Sequence, residues 1–156
     1  MTEYHFNVFA DYHQFYLQDE NAEGNFSESW NKQTVEDKLA LVPNAFAVGT
    51  ARPSTVPVTV EILESAPHDD NFDEWNQVNE CSFQVPTGRI VILGCTDYFP
   101  TATRIVVKPG CYRVRIYYGG LDTLSESGLD GNDRYRIVLW IADYAEPEIF
   151  KRYSSV

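Results

Sequence analysis

Short apolar runs, most of them alternating with polar residues, recur along this chain and are separated by turn formers. Residues 4–10 and 12–18 are crowded with aromatics (Tyr4, Phe6, Phe9, Tyr12, Phe15, Tyr16), and further runs lie at 45–50, 57–63, 80–85, 89–94, 103–107, 112–118 and 134–141. Val, Ile, Tyr, Phe and Thr dominate these runs, the side chains that suit a pleated, half-buried surface. The breaks between them include Arg52-Pro53, Pro86-Thr87-Gly88, Pro109-Gly110 and Gly119-Gly120. Pro presets a turn and Gly takes the conformations that other residues avoid. The spacing predicts a mainly β fold, a sandwich of two antiparallel sheets with about eight or nine strands, with a barrel as the alternative closure. One short helix is expected around 30–42, because Trp30, Val35, Leu39 and Val42 fall near helical spacing, Ser or Thr can cap its start, and Pro43 stops it. The polar stretch 64–77, which contains Pro67, reads as an exposed loop with a short helical turn at its end.

The runs Tyr112-Arg-Val-Arg-Ile-Tyr-Tyr118 and Arg134-Tyr-Arg-Ile-Val-Leu-Trp140 alternate cleanly and are expected to pair antiparallel. Matching Tyr112, Val114 and Ile116 with Tyr135, Ile137 and Leu139 puts Arg113, Arg115, Arg134 and Arg136 together on the opposite face. In that register Arg113 faces Arg136 and Arg115 faces Arg134. Like charges across a ladder repel, so the stripe needs carboxylates from neighbouring strands or a bound anion. Internal pairing is the preferred expectation, with Glu61 of Val58-Thr-Val-Glu-Ile62 as one partner. The connection Gly119–Asp133 is far longer than the usual hairpin loop of roughly 2–5 residues. Leu121, Leu124 and Leu129 are expected to tuck inward while its glycines take positive φ. Its oxygen ligands suggest calcium as a minor alternative, although their order does not match an EF-hand loop.

Composition narrows the class. A length of 156 residues with 44% apolar side chains suits one domain spanning residues 1–156 with its own core. Cys81, Cys95 and Cys111 are odd in number and widely spaced, which matches neither a disulfide framework nor a zinc site and favours a reducing, cytoplasmic setting. The start MTEYHFNVFADYHQ lacks a signal-peptide pattern, and no window approaches the roughly 20 apolar residues of a membrane helix. The net charge of −11 opposes direct binding to nucleic acid or an anionic membrane and favours a basic partner.

No catalytic signature is present. His5, His13 and His68 are scattered without metal-ligand spacing, and there is no phosphate-binding glycine loop, Gly-x-Ser-x-Gly elbow or dinucleotide fingerprint. A Cys/His pair brought together by the fold stays formally open. The expectation is a non-enzyme with no cofactor and no metal.

Tyr12-His-Gln-Phe15, the Ser29-Trp30 helix start, Ala45-Phe-Ala-Val-Gly-Thr-Ala-Arg52 and Pro57-Val-Thr-Val-Glu-Ile62 occur in an order that resembles the competence protein J family, small inhibitors of a DNA-entry nuclease. Lys108-Pro-Gly-Cys-Tyr-Arg113 is a weaker echo of the same family, and the remainder of the C-terminal half is more similar to uncharacterised bacterial proteins. The resemblance implies a β-rich cytoplasmic protein that binds a nonspecific, metal-dependent nuclease, but it assigns no inhibitory residues. Electrostatics supplies candidates: Asp69, Asp70, Asp73, Glu74, Asp122, Glu126, Asp130 and Asp133 for a basic groove, with Trp75 as the aromatic anchor. The competing reading is a small-ligand or carbohydrate-binding sandwich that uses Trp75, Trp140 and loop carboxylates, assisted by calcium.

Overall fold

The computed structural model describes residues 1–68 and 71–154. Eleven strands and one α-helix follow in the order β1 (Thr2–Phe9), β2 (Gln14–Asp19), α1 (Lys32–Asp37), β3 (Leu39–Val42), β4 (Ala45–Gly49), β5 (Thr55–Ile62), β6 (Gln77–Val85), β7 (Arg89–Gly94), β8 (Thr103–Val106), β9 (Gly110–Gly119), β10 (Arg134–Ile141) and β11 (Glu148–Lys151), with single 3-10 turns at Asp11–His13 and Phe99–Thr101. They form a six-stranded sheet, β1-β5-β10-β9-β6-β11, and a five-stranded sheet, β3-β4-β2-β7-β8. Every pairing is antiparallel except β5 with β10. The arrangement is a sandwich and not a barrel. All nine expected runs form strands; β3 and β11 are additional.

Alternation builds the core between the sheets. Val56, Val58, Val60, Val114, Ile116, Ile137 and Leu139 of the larger sheet meet Phe15, Leu17, Phe46, Val48, Ile90 and Ile92 of the smaller, all of them buried. Edge-to-face ring pairs bridge the layers, with Phe46 and Phe83 centroids 5.1 Å apart and Phe15 and Tyr135 5.8 Å apart. Both outer faces are also covered. Segment 20–31 brings Phe26 and Trp30 over Ala40, Ala45 and Ala47 of the smaller sheet. On the larger sheet, Trp75, Phe72 and Leu63 cover Val78, Tyr117, Val138 and Trp140. This second cover follows from topology: β5 and β6 are separated in the sheet by β10 and β9, so their connection, 63–76, must cross that face as a strap. Most described residues of the stretch 64–77 expected to be an exposed loop are exposed up to Glu74, while Leu63, Phe72 and Trp75 pin the connection to the sheet.

The helix is shorter than its apolar spacing suggests. Asn31 caps it, accepting a bond from the Thr34 amide at 2.9 Å while the Thr34 hydroxyl accepts from the Asn31 amide at 2.8 Å. Lys38, at φ 59°, ends it in the left-handed region. Leu39–Val42 belongs to β3, joined to β4 through Pro43 and Asn44, the latter at φ 60°. The predicted helix over 30–42 thus gives way to a helix and a hairpin strand. Pairing with β4 puts Leu39 in the core.

Beneath this helix, buried amides fix its end. The Gln77 and Asn79 side-chain amides donate to the Asp37 carbonyl at 2.8 and 2.7 Å, and the Tyr118 hydroxyl donates to the Lys38 carbonyl at 2.6 Å. These bonds satisfy the carbonyls orphaned at the helix C-terminus and lock the left-handed Lys38 in place.

Candidate functional site

One end of the sandwich gathers the segments that carry the candidate chemistry. The starts of β5, β6 and β10 and the end of β9 lie there, as the registers Gln77↔Tyr118 and Tyr135↔Tyr118 and the parallel pair Tyr135↔Val58 require. The strap therefore delivers Asp73, Glu74 and Trp75 beside the β9–β10 loop. Asn76 joins the two segments: its amide donates to the Tyr118 carbonyl at 2.8 Å, and its side-chain oxygen accepts from the Leu121 amide at 2.8 Å.

Asp73, Glu74, Trp75 and Asp122 consequently line one shallow pocket of about 450 Å³, together with Asn76, Lys151, Arg152 and Tyr153. Asp73, Glu74 and Asp122 are exposed, and so are Glu126 and Asp130 further along the loop. Asp69 and Asp70 lie outside the described residues. Asp133 is placed differently from the surface position expected of it. It is fully buried, pairs with Arg52 and accepts from the Tyr135 hydroxyl at 2.7 Å, so it anchors the loop and presents no charge to a partner. Trp75 is 8% exposed, packs against Tyr117 and lies under the Arg134 guanidinium at 4.5 Å, so only an edge of it reaches the pocket.

In the loop itself, Leu121 tucks inward as expected, whereas Leu129 is 55% exposed and Leu124 37%. Gly120 and Gly128 take positive φ. A Cβ on Gly120 would stand 2.2 Å from the Asn132 carbonyl oxygen, so the loop closes on itself only with glycine there. Among the described residues no three His, Cys, Asp or Glu side chains converge as metal ligands. The calcium reading needs such convergence, and Asp133 is already committed to Arg52.

The arginine stripe forms on the outer face of the larger sheet, with a different register. Arg113 stands opposite Trp140, Arg115 opposite Val138, Arg136 opposite Tyr117 and Arg134 opposite Gly119. The expected Arg113–Arg136 and Arg115–Arg134 pairs do not occur. The observed register is displaced by four residues from the expected one, and any even displacement keeps every side chain on its face, so alternation alone does not distinguish the two. The observed one stacks Tyr118 edge-on against Tyr135 at 5.9 Å. Carboxylates neutralise the stripe: Glu80 of β6 accepts from Arg113 Nε at 2.8 Å and from Arg115 Nε at 3.0 Å, and Glu61 pairs with Arg136. Arg115 Nη1 is buried without a hydrogen-bond acceptor, but its guanidinium lies 5.2 to 5.7 Å from the rings of Phe150, Trp140 and Phe72. Internal pairing and cation–π contact therefore account for the stripe without an anion. Trp140, 6% exposed within this layer, is not positioned to stack on a sugar.

The three thiols are all shifted toward the protonated form. Burial pushes Cys81 up to about 12. Cys95 is raised by burial and then by the nearby Asp11, and Cys111 by burial and then by Asp143. All three shifts run opposite to the lowering that makes a cysteine reactive.

A second cavity at this end carried no signal in the apolar pattern. It measures about 480 Å³, is mostly apolar, and is lined by Tyr12, His13, Gln14, Trp30, Val35, Lys38, Gly49 and Thr50. Trp30 is fixed by its indole N–H donating to Gln14 Oε1 at 2.7 Å.

The fold is thus that of a two-sheet sandwich with covered outer faces, and it recurs in solved structures. That of ComJ from Bacillus subtilis, an inhibitor of the DNA-degrading activity of NucA, superposes with a TM-score of 0.67 at 14% identity over 91% of this chain and 96% of ComJ. The structure titled crocagin biosynthetic gene J superposes with a TM-score of 0.59 at 17% identity over 92% of this chain and 100% of that one. At these identities the likeness is one of fold. No family model and no curated protein sequence matches the chain. No helix among the described residues is long and apolar enough to cross a membrane.

Proposed function

We propose that the protein is a cytoplasmic, non-catalytic inhibitor that binds a basic protein partner, a nonspecific nuclease, through the acidic end of the sandwich. The observation that carries this reading is the convergence of Asp73, Glu74 and Asp122 in one pocket, with Glu126 and Asp130 on the same loop, in a fold shared with a nuclease inhibitor. A nuclease groove is basic because it must hold phosphates. Carboxylates at this end steer the approach of such a groove and oppose its filling by DNA. The net charge of −11 adds long-range attraction that salt shortens to about 8 Å at physiological strength.

The test is plasmid degradation by nonspecific nucleases, including one from the same source, with and without stoichiometric protein and with divalent metal in excess to remove chelation as a cause. Inhibition is expected to weaken as salt rises and to fall by roughly ten-fold when Asp73→Asn, Glu74→Gln and Asp122→Asn are combined. Absence of inhibition of every nuclease tested overturns the reading.

A further inference from the structure

The cavity between Tyr12, Trp30, Val35 and Lys38 is left unused by acidic recognition, yet it has the features of a binding pocket. Its volume, about 480 Å³, lies within the range of ligand clefts, and its lining is mainly apolar. Two of its apolar side chains stand open to solvent, Tyr12 at 72% and Val35 at 61% exposure. Helix α1, which supplies Val35, buries none of its residues. Backbone strain gathers here as well. Of the four non-glycine residues with positive φ among those described, Tyr12, His13 and Lys38 line this cavity, and only Asn44 lies elsewhere. Such conformations cost about 1–3 kcal/mol each and persist where the surroundings hold a shape in place. Here Lys38 is held by the Tyr118 hydroxyl and by Thr34 and Val35 carbonyls.

The cavity is also continuous with the acidic end. Lys38 is a wall shared with a neighbouring pocket lined by Leu121, Leu124, Arg152 and Tyr153, and Arg152 and Tyr153 in turn line the pocket of Asp73, Glu74 and Asp122. A surface with an apolar cleft at one side and carboxylates at the other complements a protein segment that carries an aromatic or aliphatic side chain near basic residues.

We infer that this cleft is the anchor site for an apolar side chain of the same basic partner, an inference that rests on the inhibitor reading. Recognition then divides in two. The carboxylates set the rate of encounter and its salt dependence, while the Tyr12–Trp30–Val35 cleft sets the lifetime of the complex.

The two parts separate in stopped-flow or surface kinetics with the inhibited nuclease. Val35→Gln changes an exposed helix position and Tyr12→Asn places a residue that tolerates positive φ, so both variants keep the fold, which circular dichroism verifies. Together they are expected to raise the dissociation rate roughly ten-fold or more while leaving the association rate and its salt slope unchanged. The Asp73, Glu74 and Asp122 substitutions are expected to do the reverse. Wild-type dissociation in the double variant overturns the anchor while leaving the inhibitor reading intact. If no nuclease forms a complex, the inhibitor reading fails, and titration with N-acetyl-tryptophanamide and N-acetyl-leucinamide decides the anchor by itself. Amide and indole NMR shifts at Tyr12, Trp30 and Val35 that vanish in the double variant support an apolar side-chain site; absence of shifts overturns it.

Discussion

Glu80 is the residue on which the outer layer of the larger sheet depends, and replacing it by Gln gives a calculable loss. It is 7% exposed and accepts from Arg113 Nε at 2.8 Å and Arg115 Nε at 3.0 Å, side chains that are themselves 6% and 10% exposed. Arg113 keeps other acceptors, the Ser82 hydroxyl at 3.1 Å and the carbonyls of Ala145 and Glu146 at 2.8 Å. Arg115 has no second carboxylate among the described residues, and one of its nitrogens already lacks an acceptor. Removing the charge therefore strands mainly Arg115 in a layer of aromatic rings. Breaking a buried pair from one side costs about 3–5 kcal/mol. The Gln oxygen retains one neutral hydrogen bond of about 1 kcal/mol, so Glu80→Gln is expected to lose about 3 kcal/mol. Urea unfolding followed by tryptophan fluorescence measures this, because Trp75 and Trp140 lie in the affected layer. Adding Arg115→Met should recover part of the loss, since an apolar replacement removes the stranded charge. Glu20→Gln, which weakens the more solvated pairs with Arg89 and Arg104, serves as the control and should change less. A loss below about 1 kcal/mol for Glu80→Gln refutes the reasoning, since it places that layer in the range of solvated surface pairs.

Further outcomes follow from the same geometry. Arg52→Ala, which leaves Asp133 buried without its ion pair, should loosen the β9–β10 loop and speed its cleavage by protease, while Asp122→Asn on the same loop should not. Buried Cys81 has its folded value raised from 9.0 to about 12. Its contribution to stability is therefore complete below pH about 9 and is lost as pH rises toward about 12. Unfolding followed across that window should show a shallower alkaline decline in Cys81→Ala than in the wild type, and equal slopes would count against the assignment. For the same reason, a thiol reagent at pH 8 should modify Cys81 only as fast as the protein opens.

Alternation made the strands legible. The nine apolar runs read between turn formers all became strands, and the shared core of the two sheets follows from their buried faces. Two other strands escaped for different reasons. Leu39–Val42 continued a helical spacing that begins at Trp30, and only pairing with Ala45–Val48 decides for the strand. Glu148–Lys151 is four residues long and pairs through an irregular register with β6, so its pattern carries little information. The arginine stripe shows the same limit at higher resolution. Its face was readable, as was the pairing of Glu61 with an arginine of the neighbouring strand, whereas the cross-strand partners were not, because the four-residue displacement, like any even one, leaves the pattern unchanged.

For the candidate site, charge identified the carboxylates of the strap and the long loop, and topology brings Asp73, Glu74 and Asp122 together. Sequence gave no reason to single out Asp133 as buried, since its partner Arg52 lies in a distant turn. The Tyr12–Trp30 cleft was invisible for a related reason. Its walls come from four separate segments, and its left-handed residues are Tyr, His and Lys, none of which announces that conformation as glycine does.

The parallel pairing of β5 with β10 has a consequence for how the chain acquires its structure. The larger sheet is stitched shut by β10, which slots between β9, the strand made just before it, and β5, made more than seventy residues earlier. Until it emerges, β5 and β9 have bare edges lined by Val58, Val60, Val114 and Ile116, an inviting template for strands of other chains. Maturation should accordingly be slow and late, as non-local β topologies are. A nascent chain stopped before Arg134 should collect chaperones, and one released past Ile141 should shed them.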